Sequence, residues 1–147
     1  MREEVYRISK GDIPAKTVVA LLVHDQAEYM YALATALREQ GVRVHHVRTW
    51  QAAAQELKRA NPPHLIFSDT SLEDGKWADI VRLAEKASQP VNVIVVTRVM
   101  DTKLYLETMD GGAYDFIVPP FVSPDLAHVV RCAADNAQAR REAIAHL

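Results

Sequence analysis

Five short runs rich in valine and isoleucine, each followed by a longer stretch with helical spacing, constrain this chain more than any other feature. The runs cover residues 17–23, 42–47, 64–68, 91–97 and 114–118. They lack the polar alternation of a strand with one wet face, which predicts parallel strands covered on both sides. The helical stretches between them stop at residues that end helices: 28–40 at Gly41, 51–60 at Asn61, Pro62 and Pro63, 77–88 before Pro90, and 102–110 at Gly111 and Gly112. A fifth opens with Ser123 as N-cap and Pro124 at the first helical position. The alternation predicts an α/β fold, a doubly wound three-layer sandwich around a five-stranded parallel sheet.

With 147 residues, 49% apolar and 24% charged, the chain suits one globular domain and excludes long disorder or a disulfide scaffold. A net charge of −2 supplies no global field toward nucleic acid or an acidic membrane. The single cysteine, Cys132, cannot close an internal disulfide, and no apolar run approaches the roughly 18 residues of a membrane span. Residues 1–16 show no sustained period and no apolar signal region, so they read as a leader. A cytoplasmic location is expected, with neither direct nucleic-acid nor membrane contact.

In doubly wound sheets, ligands sit at the carboxyl ends of the strands, where the strand order reverses. Here the first strand runs into His24 and Asp25, the third ends in Asp69, the fourth in Thr97, and the fifth leads to Pro119 and Pro120. Two carboxylates and a hydroxyl are thereby expected at one edge.

This arrangement resembles the receiver domain of bacterial two-component response regulators over about residues 17–135. Leu22-Val23-His24-Asp25 is similar to the family's acidic turn, and Leu65-Ile66-Phe67-Ser68-Asp69 to the strand that delivers the phosphoacceptor. Val93-Ile94-Val95-Val96-Thr97 resembles the strand ending in the switch hydroxyl. The stretch from Gly112 through Tyr114-Asp115-Phe116 to Pro119-Pro120-Phe121 resembles the closing signature of the last strand. The resemblance implies a flavodoxin-like fold and a signalling domain rather than an enzyme. It further implies phosphorylation of Asp69 by a histidine kinase or phosphotransfer protein, with Thr97 as switch hydroxyl and Phe116 as switch aromatic. Mg²⁺ would be held by Asp25, Asp69 and the backbone carbonyl of Ser71, because phosphoryl transfer to a carboxylate requires a hard cation.

The sequence departs from the family pattern at the site itself. His24 stands where the first of two paired acids is usual, Pro119 where a phosphate-contacting lysine is usual, Glu73 in place of a proline, and Arg98 in place of a small residue. Proline offers neither charge nor donor. Arg98 is read either as the replacement phosphate contact or as a solvated arginine. His24 is read as a hydrogen-bonded, partly protonated histidine, with metal ligation the alternative. A cis Pro119–Pro120 bond is expected.

The last helix, if continued to Leu147, is long. Leu126, Val130, Ala133, Ala137, Arg140, Ile144 and Leu147 form a heptad-like seam. Only its first half is expected to pack, leaving 136–147 as an extension for linkage or dimerisation. Trp50 and Trp77 are read as packing residues, Tyr29, Met30 and Tyr31 as a mixture of core and docking residues, and Cys132 as a small buried one. Two functions compete: a phosphoacceptor receiver signalling through its fourth and fifth helices to a downstream protein or output domain, and a degenerate receiver serving as a phosphorylation-independent interaction or homodimerisation module. An aspartate-nucleophile phosphatase is disfavoured because Asp69 follows the third strand, and a dinucleotide-binding domain because no G-x-G-x-x-G follows the first.

Overall fold

The computed structural model describes residues 17–147; the leader at 1–16 lies outside the described residues. In chain order the elements are β1 Val19–Val23, α1 Glu28–Glu39, β2 Arg43–Val47, α2 Trp50–Leu57, β3 Leu65–Asp69, β4 Ser71–Leu72, β5 Gly75–Lys76, α3 Trp77–Glu85, β6 Asn92–Val96, α4 Thr102–Asp110, β7 Asp115–Ile117 and α5 Ser123–Ala145. The main sheet has the order β2-β1-β3-β6-β7 with every neighbouring pair parallel, so the fold is flavodoxin-like. The order reverses beside β1, which places the crevice between β1 and β3.

Alternate residues of the central strands feed two cores. Ala20, Leu22, Leu65, Phe67, Ile94 and Val96 face Met30, Leu33 and Leu37 of α1 and Leu126, Val130 and Ala133 of α5. On the other face Leu21, Val23, Ile66, Val93 and Val95 meet Ala53, Leu57, Ile80 and Val81 from α2 and α3. Each large side chain buried in this way contributes roughly 1.5–3 kcal/mol. Two-sided burial is why these runs carry almost no polar residues.

Several expectations require correction. β2 is an edge strand whose Arg43, His45 and His46 are exposed, because only Val44 and Val47 have a covering layer to face. Helix α5 begins at Ser123 with Val122 at the N-cap, so Ser123 does not cap it and Pro124 lies one position further in. Cys132 is exposed, with its sulfur 3.6 Å from Nε2 of His128. The seam of α5 follows Leu126, Val130, Ala133 and Ala137 but continues at Arg141; Ile144 and Leu147 face solvent. The helix therefore stays on the body through Arg141, further than half its length. Trp77 packs against the second core as expected, whereas Trp50 is partly exposed.

The small hairpin β4–β5 was not anticipated, although Asp74-Gly75 is a turn signal. Its tip is held across the fold: the Asp74 carboxylate accepts from the N–H groups of Trp50 (2.7 Å) and Gln51 (3.1 Å). With Thr49 capping Ala52 at 3.0 Å, this satisfies the first donors of α2 and sets a negative charge at its N-terminus.

Candidate functional site

The parallel register assembles the site before any side chain is considered. Val23 pairs with Ser68, so His24 lies level with Asp69; Asp69 pairs with Val96, so Thr97 is one residue beyond it on the next strand. Asp25, Asp69 and Thr97 share the carboxyl edge of the sheet, beside the crevice.

Asp69 is half-buried. Its Oδ1 accepts two hydrogen bonds, from the Tyr29 hydroxyl and from the Thr70 N–H at 2.8 Å. Its Oδ2 has no protein partner among the described residues. Burial, then the hydrogen bond to Asp69 and that carboxylate's charge, push the Tyr29 hydroxyl well above the usual tyrosine range, partly opposed by Arg98. Tyr29 is therefore a firmly protonated donor. Beside it opens a shallow cleft lined by Ala27, Tyr29, Thr70, Thr97 and Arg98, with the Arg98 side chain exposed at its rim.

Asp25 is paired with a cation. Its Oδ1 accepts from Nε (3.0 Å) and a terminal nitrogen (2.8 Å) of Arg48, which follows β2, and its Oδ2 is left without a protein partner. The pair is exposed, so solvent and salt screen it. Arg48 was not singled out in the sequence, although the β1–β2 register that pairs Val23 with Val47 brings it alongside the acidic turn.

His24 is 2% exposed and both ring nitrogens are occupied: Nδ1 accepts from the Ala27 N–H at 3.1 Å and Nε2 lies 3.0 Å from Nδ1 of His46. With Nδ1 accepting, a neutral His24 carries its proton on Nε2 and donates to His46. Burial, then His46, lowers its pKa against the opposing pull of Asp69 and Asp25. The ring is neutral rather than partly protonated, and in this geometry neither nitrogen is open to a metal. No group of three or more His, Cys, Asp or Glu among the described residues is arranged to hold a metal ion.

Burial lowers the pKa of His24, His46 and His64 alike from their ordinary 6.5. The unfolded chain takes up these protons first as the pH falls, so the folded state loses stability below about 6.5 and holds it above. Urea unfolding between about pH 7.5 and about pH 5.5 is expected to show the decline; a flat profile would mean that the rings titrate normally in the native protein.

Phe116 is buried in the second core with its ring edge-on to Tyr105, centroids 5.6 Å apart. The Thr97 hydroxyl makes no hydrogen bond among the described residues, while its backbone N–H donates to Ile117 at 3.2 Å. The Pro119–Pro120 bond is cis. Of the triplet Tyr29-Met30-Tyr31 on α1, Met30 enters the core, Tyr31 packs at the surface beside His24 and His46, and Tyr29 donates to Asp69. No sequence motif marks the Tyr29 hydroxyl as a donor to Asp69.

A family model described as the response regulator receiver domain matches residues 20–131. Among curated proteins, the chain is 31% identical over 113 residues to the KDP operon transcriptional regulatory protein KdpE of Escherichia coli, covering 77% of this chain and 49% of that protein. It is 26% identical over 126 residues to the photosynthetic apparatus regulatory protein RegA of Rhodovulum sulfidophilum, covering 86% and 65%. The chain thus spans about half to two-thirds of these relatives. Among solved structures, the receiver domain of a signal transduction histidine kinase from Syntrophus aciditrophicus is similar at TM-score 0.66 and 27% identity, covering 82% of this chain and 92% of that one. The response regulator domain of Thermotoga maritima CheB shares the fold at TM-score 0.69 and 22% identity, covering 82% and 98%. No helix among the described residues is long and apolar enough to cross a membrane.

Proposed function

This chain belongs to the response regulator receiver domain family, and we propose that it accepts a phosphoryl group on Asp69 and passes the signal on by changing a protein-binding surface. The observation that carries this reading is Asp69 itself: at the carboxyl edge of the sheet, Oδ1 is fixed by two donors while Oδ2 has no protein partner among the described residues. Oδ2 attacks phosphorus, the bond from phosphorus to the donor's nitrogen or oxygen breaks, and the leaving group departs with that electron pair. Water later reverses the state by releasing inorganic phosphate and the free carboxylate.

The oxygen donors suit Mg²⁺. Thr70 accepts from the Trp77 N–H at 3.2 Å, so hydrogen bonding in the hairpin alternates away from the Ser71–Lys76 pair and directs the Ser71 carbonyl outward. That carbonyl and the carboxylates of Asp69 and Asp25 form a hard oxygen set that would suit Mg²⁺. A bound Mg²⁺ would supply the positive charge that offsets carboxylate and phosphoryl in the transition state. Thr97 would donate to a phosphoryl oxygen. Arg98, at the rim of the cleft, stands in for the lysine absent at Pro119.

A histidine kinase or phosphotransfer protein is the proposed donor. The proposed output runs through α4 and α5, where Val99, Met100, Leu106 and Met109 expose apolar surface at and before α4, to a downstream protein, an output domain or a second copy. The second reading, a phosphorylation-independent interaction module acting in the cytoplasm, is favoured by Pro119 and by the Arg48 guanidinium that holds Asp25. Intact-mass spectrometry after incubation with acetyl phosphate separates them. A single Mg²⁺-dependent phosphoryl adduct, absent from Asp69→Asn, is expected; a folded parent protein that takes up no adduct would establish the second reading.

A further inference from the structure

We infer that the Tyr29 hydroxyl sets the lifetime of the phosphorylated state, by stabilising the Asp69 carboxylate as it leaves phosphorus. The inference rests on Asp69 being the phosphoacceptor. It starts from an asymmetry of charge on the one oxygen that Tyr29 touches.

Oδ1 accepts from Tyr29 and from the Thr70 N–H, and Oδ2 is the oxygen available for bonding to phosphorus. In the free carboxylate Oδ1 carries half of a full negative charge. Once Oδ2 is bonded to phosphorus, Oδ1 is an ordinary carbonyl oxygen and a poorer acceptor. On hydrolysis the Oδ2–P bond breaks, the electron pair returns to the carboxylate and the charge on Oδ1 is restored. Phosphoryl transfer has a loose transition state, in which the bond to the entering or leaving oxygen is largely absent. The carboxylate therefore already bears most of its charge at the transition state, approached from either side. A donor on Oδ1 is worth about as much in the free aspartate as in the transition state, and less in the phosphorylated form. Interactions stronger in the transition state than in the ground state are the ones that accelerate a step. Tyr29 thus speeds breakdown of the phosphorylated state and leaves its formation nearly unchanged.

The surroundings make the hydroxyl effective in this role. Its ring packs against the first core, which fixes its position. A tyrosine hydroxyl keeps its proton throughout the neutral range and so remains a donor. A hydrogen bond to a charged acceptor contributes about twice a neutral one, and losing part of that difference corresponds to about tenfold in rate.

Tyr29→Phe keeps the ring and removes only the donor. Parent and variant are labelled with acetyl phosphate and Mg²⁺, the donor is removed by desalting, and the adduct is followed by intact mass, with Asp69→Asn as the blank and thermal unfolding to confirm that the variant folds. The expected result is a split: labelling rates that agree within about twofold and an adduct that persists about tenfold longer in Tyr29→Phe. Accumulation in the variant alone would be the extreme form of the same effect. Equal lifetimes, or a shorter one in the variant, would overturn the role of Tyr29 while leaving Asp69 as acceptor. Absence of adduct from both folded proteins would overturn the phosphoacceptor reading on which the role depends.

Discussion

Arg141→Ala is expected to lower the unfolding free energy by about 3 kcal/mol, and Arg140→Ala, one residue earlier, by less than about 1 kcal/mol. Arg141 is 8% exposed and turns its guanidinium beneath the sheet, where Nε donates to the Pro90 carbonyl at 2.8 Å and a terminal nitrogen to those of Pro62 (3.1 Å) and Pro63 (2.8 Å). Those carbonyls lie on the segments entering β3 and β6, so one side chain ties α5 to both central strands. Burial depresses the Arg141 pKa, which marks the desolvation already borne and offset by the three acceptors. Truncation removes charge-assisted bonds worth about 1.5–3 kcal/mol each, and water entering at the sheet's lower edge returns part of the loss. Arg140 donates to Asn92 Oδ1 at 3.0 Å but is largely exposed, and Asn92 keeps its own bonds to Ala133 and Asn136. At about 2–4 °C per kcal/mol, the two variants should differ in midpoint by about 5–10 °C. Urea unfolding of both decides the matter; a larger loss from Arg140→Ala would place the wrong face of α5 on the sheet.

The same pair shows where the sequence stops being legible. Leu126, Val130, Ala133 and Ala137 were read correctly as a stripe, because over a few turns a spacing of four and three cannot be told from the helical period. Continued as a heptad, that stripe predicts Arg140. A straight α-helix repeats at 3.6 rather than 3.5 residues, and by the fourth turn the buried position has drifted to Arg141. Strands are legible where both faces are covered, as in Val93 to Val96; at β2 the strand is legible but its exposure is not, because its edge position follows from the sheet order and not from Arg43-Val44-His45-His46-Val47 itself. The site divides in the same way. Asp25, Asp69 and Thr97 stand out because each is a carboxylate or hydroxyl at, or within two residues of, a strand's carboxyl end, and strand ends are fixed by local pattern. Tyr29 and Arg48 matter through side chains that reach across the register, and nothing in their immediate neighbours marks them. His24 was visible as a departure, but its engagement on both nitrogens required His46 from the adjacent strand.

His24→Asp, which places a carboxylate where the family usually has the first of its paired acids, is expected to turn a protein nearly indifferent to Mg²⁺ into one whose stability depends on it. In the parent a neutral imidazole lies close enough to Asp69 and Asp25 to feel both charges, 2% exposed and hydrogen-bonded at both nitrogens. The carboxylate of the variant loses His46 as a partner and faces two like charges with little water, at a cost of about 2 kcal/mol in the presence of a chelator. Three carboxylates and the Ser71 carbonyl form a far stronger cation site than two, and the field that destabilises the empty variant is the one that binds the ion. Binding to the folded state alone stabilises by about 2.7 kcal/mol at a hundredfold excess over the dissociation constant, enough to offset the loss. The parent would bind through fewer charges, with Asp25 also held by Arg48, so the same Mg²⁺ concentration should raise its stability by less than about 1 kcal/mol. Thermal unfolding of both proteins, in chelator and in millimolar Mg²⁺, gives the comparison. A parent that responds as strongly as the variant would show that two carboxylates suffice and that Arg48 yields Asp25 without cost. A variant that ignores Mg²⁺ would show that a carboxylate at position 24 cannot reach the ion, and the imidazole would then be there for the His46 contact rather than in place of an acid.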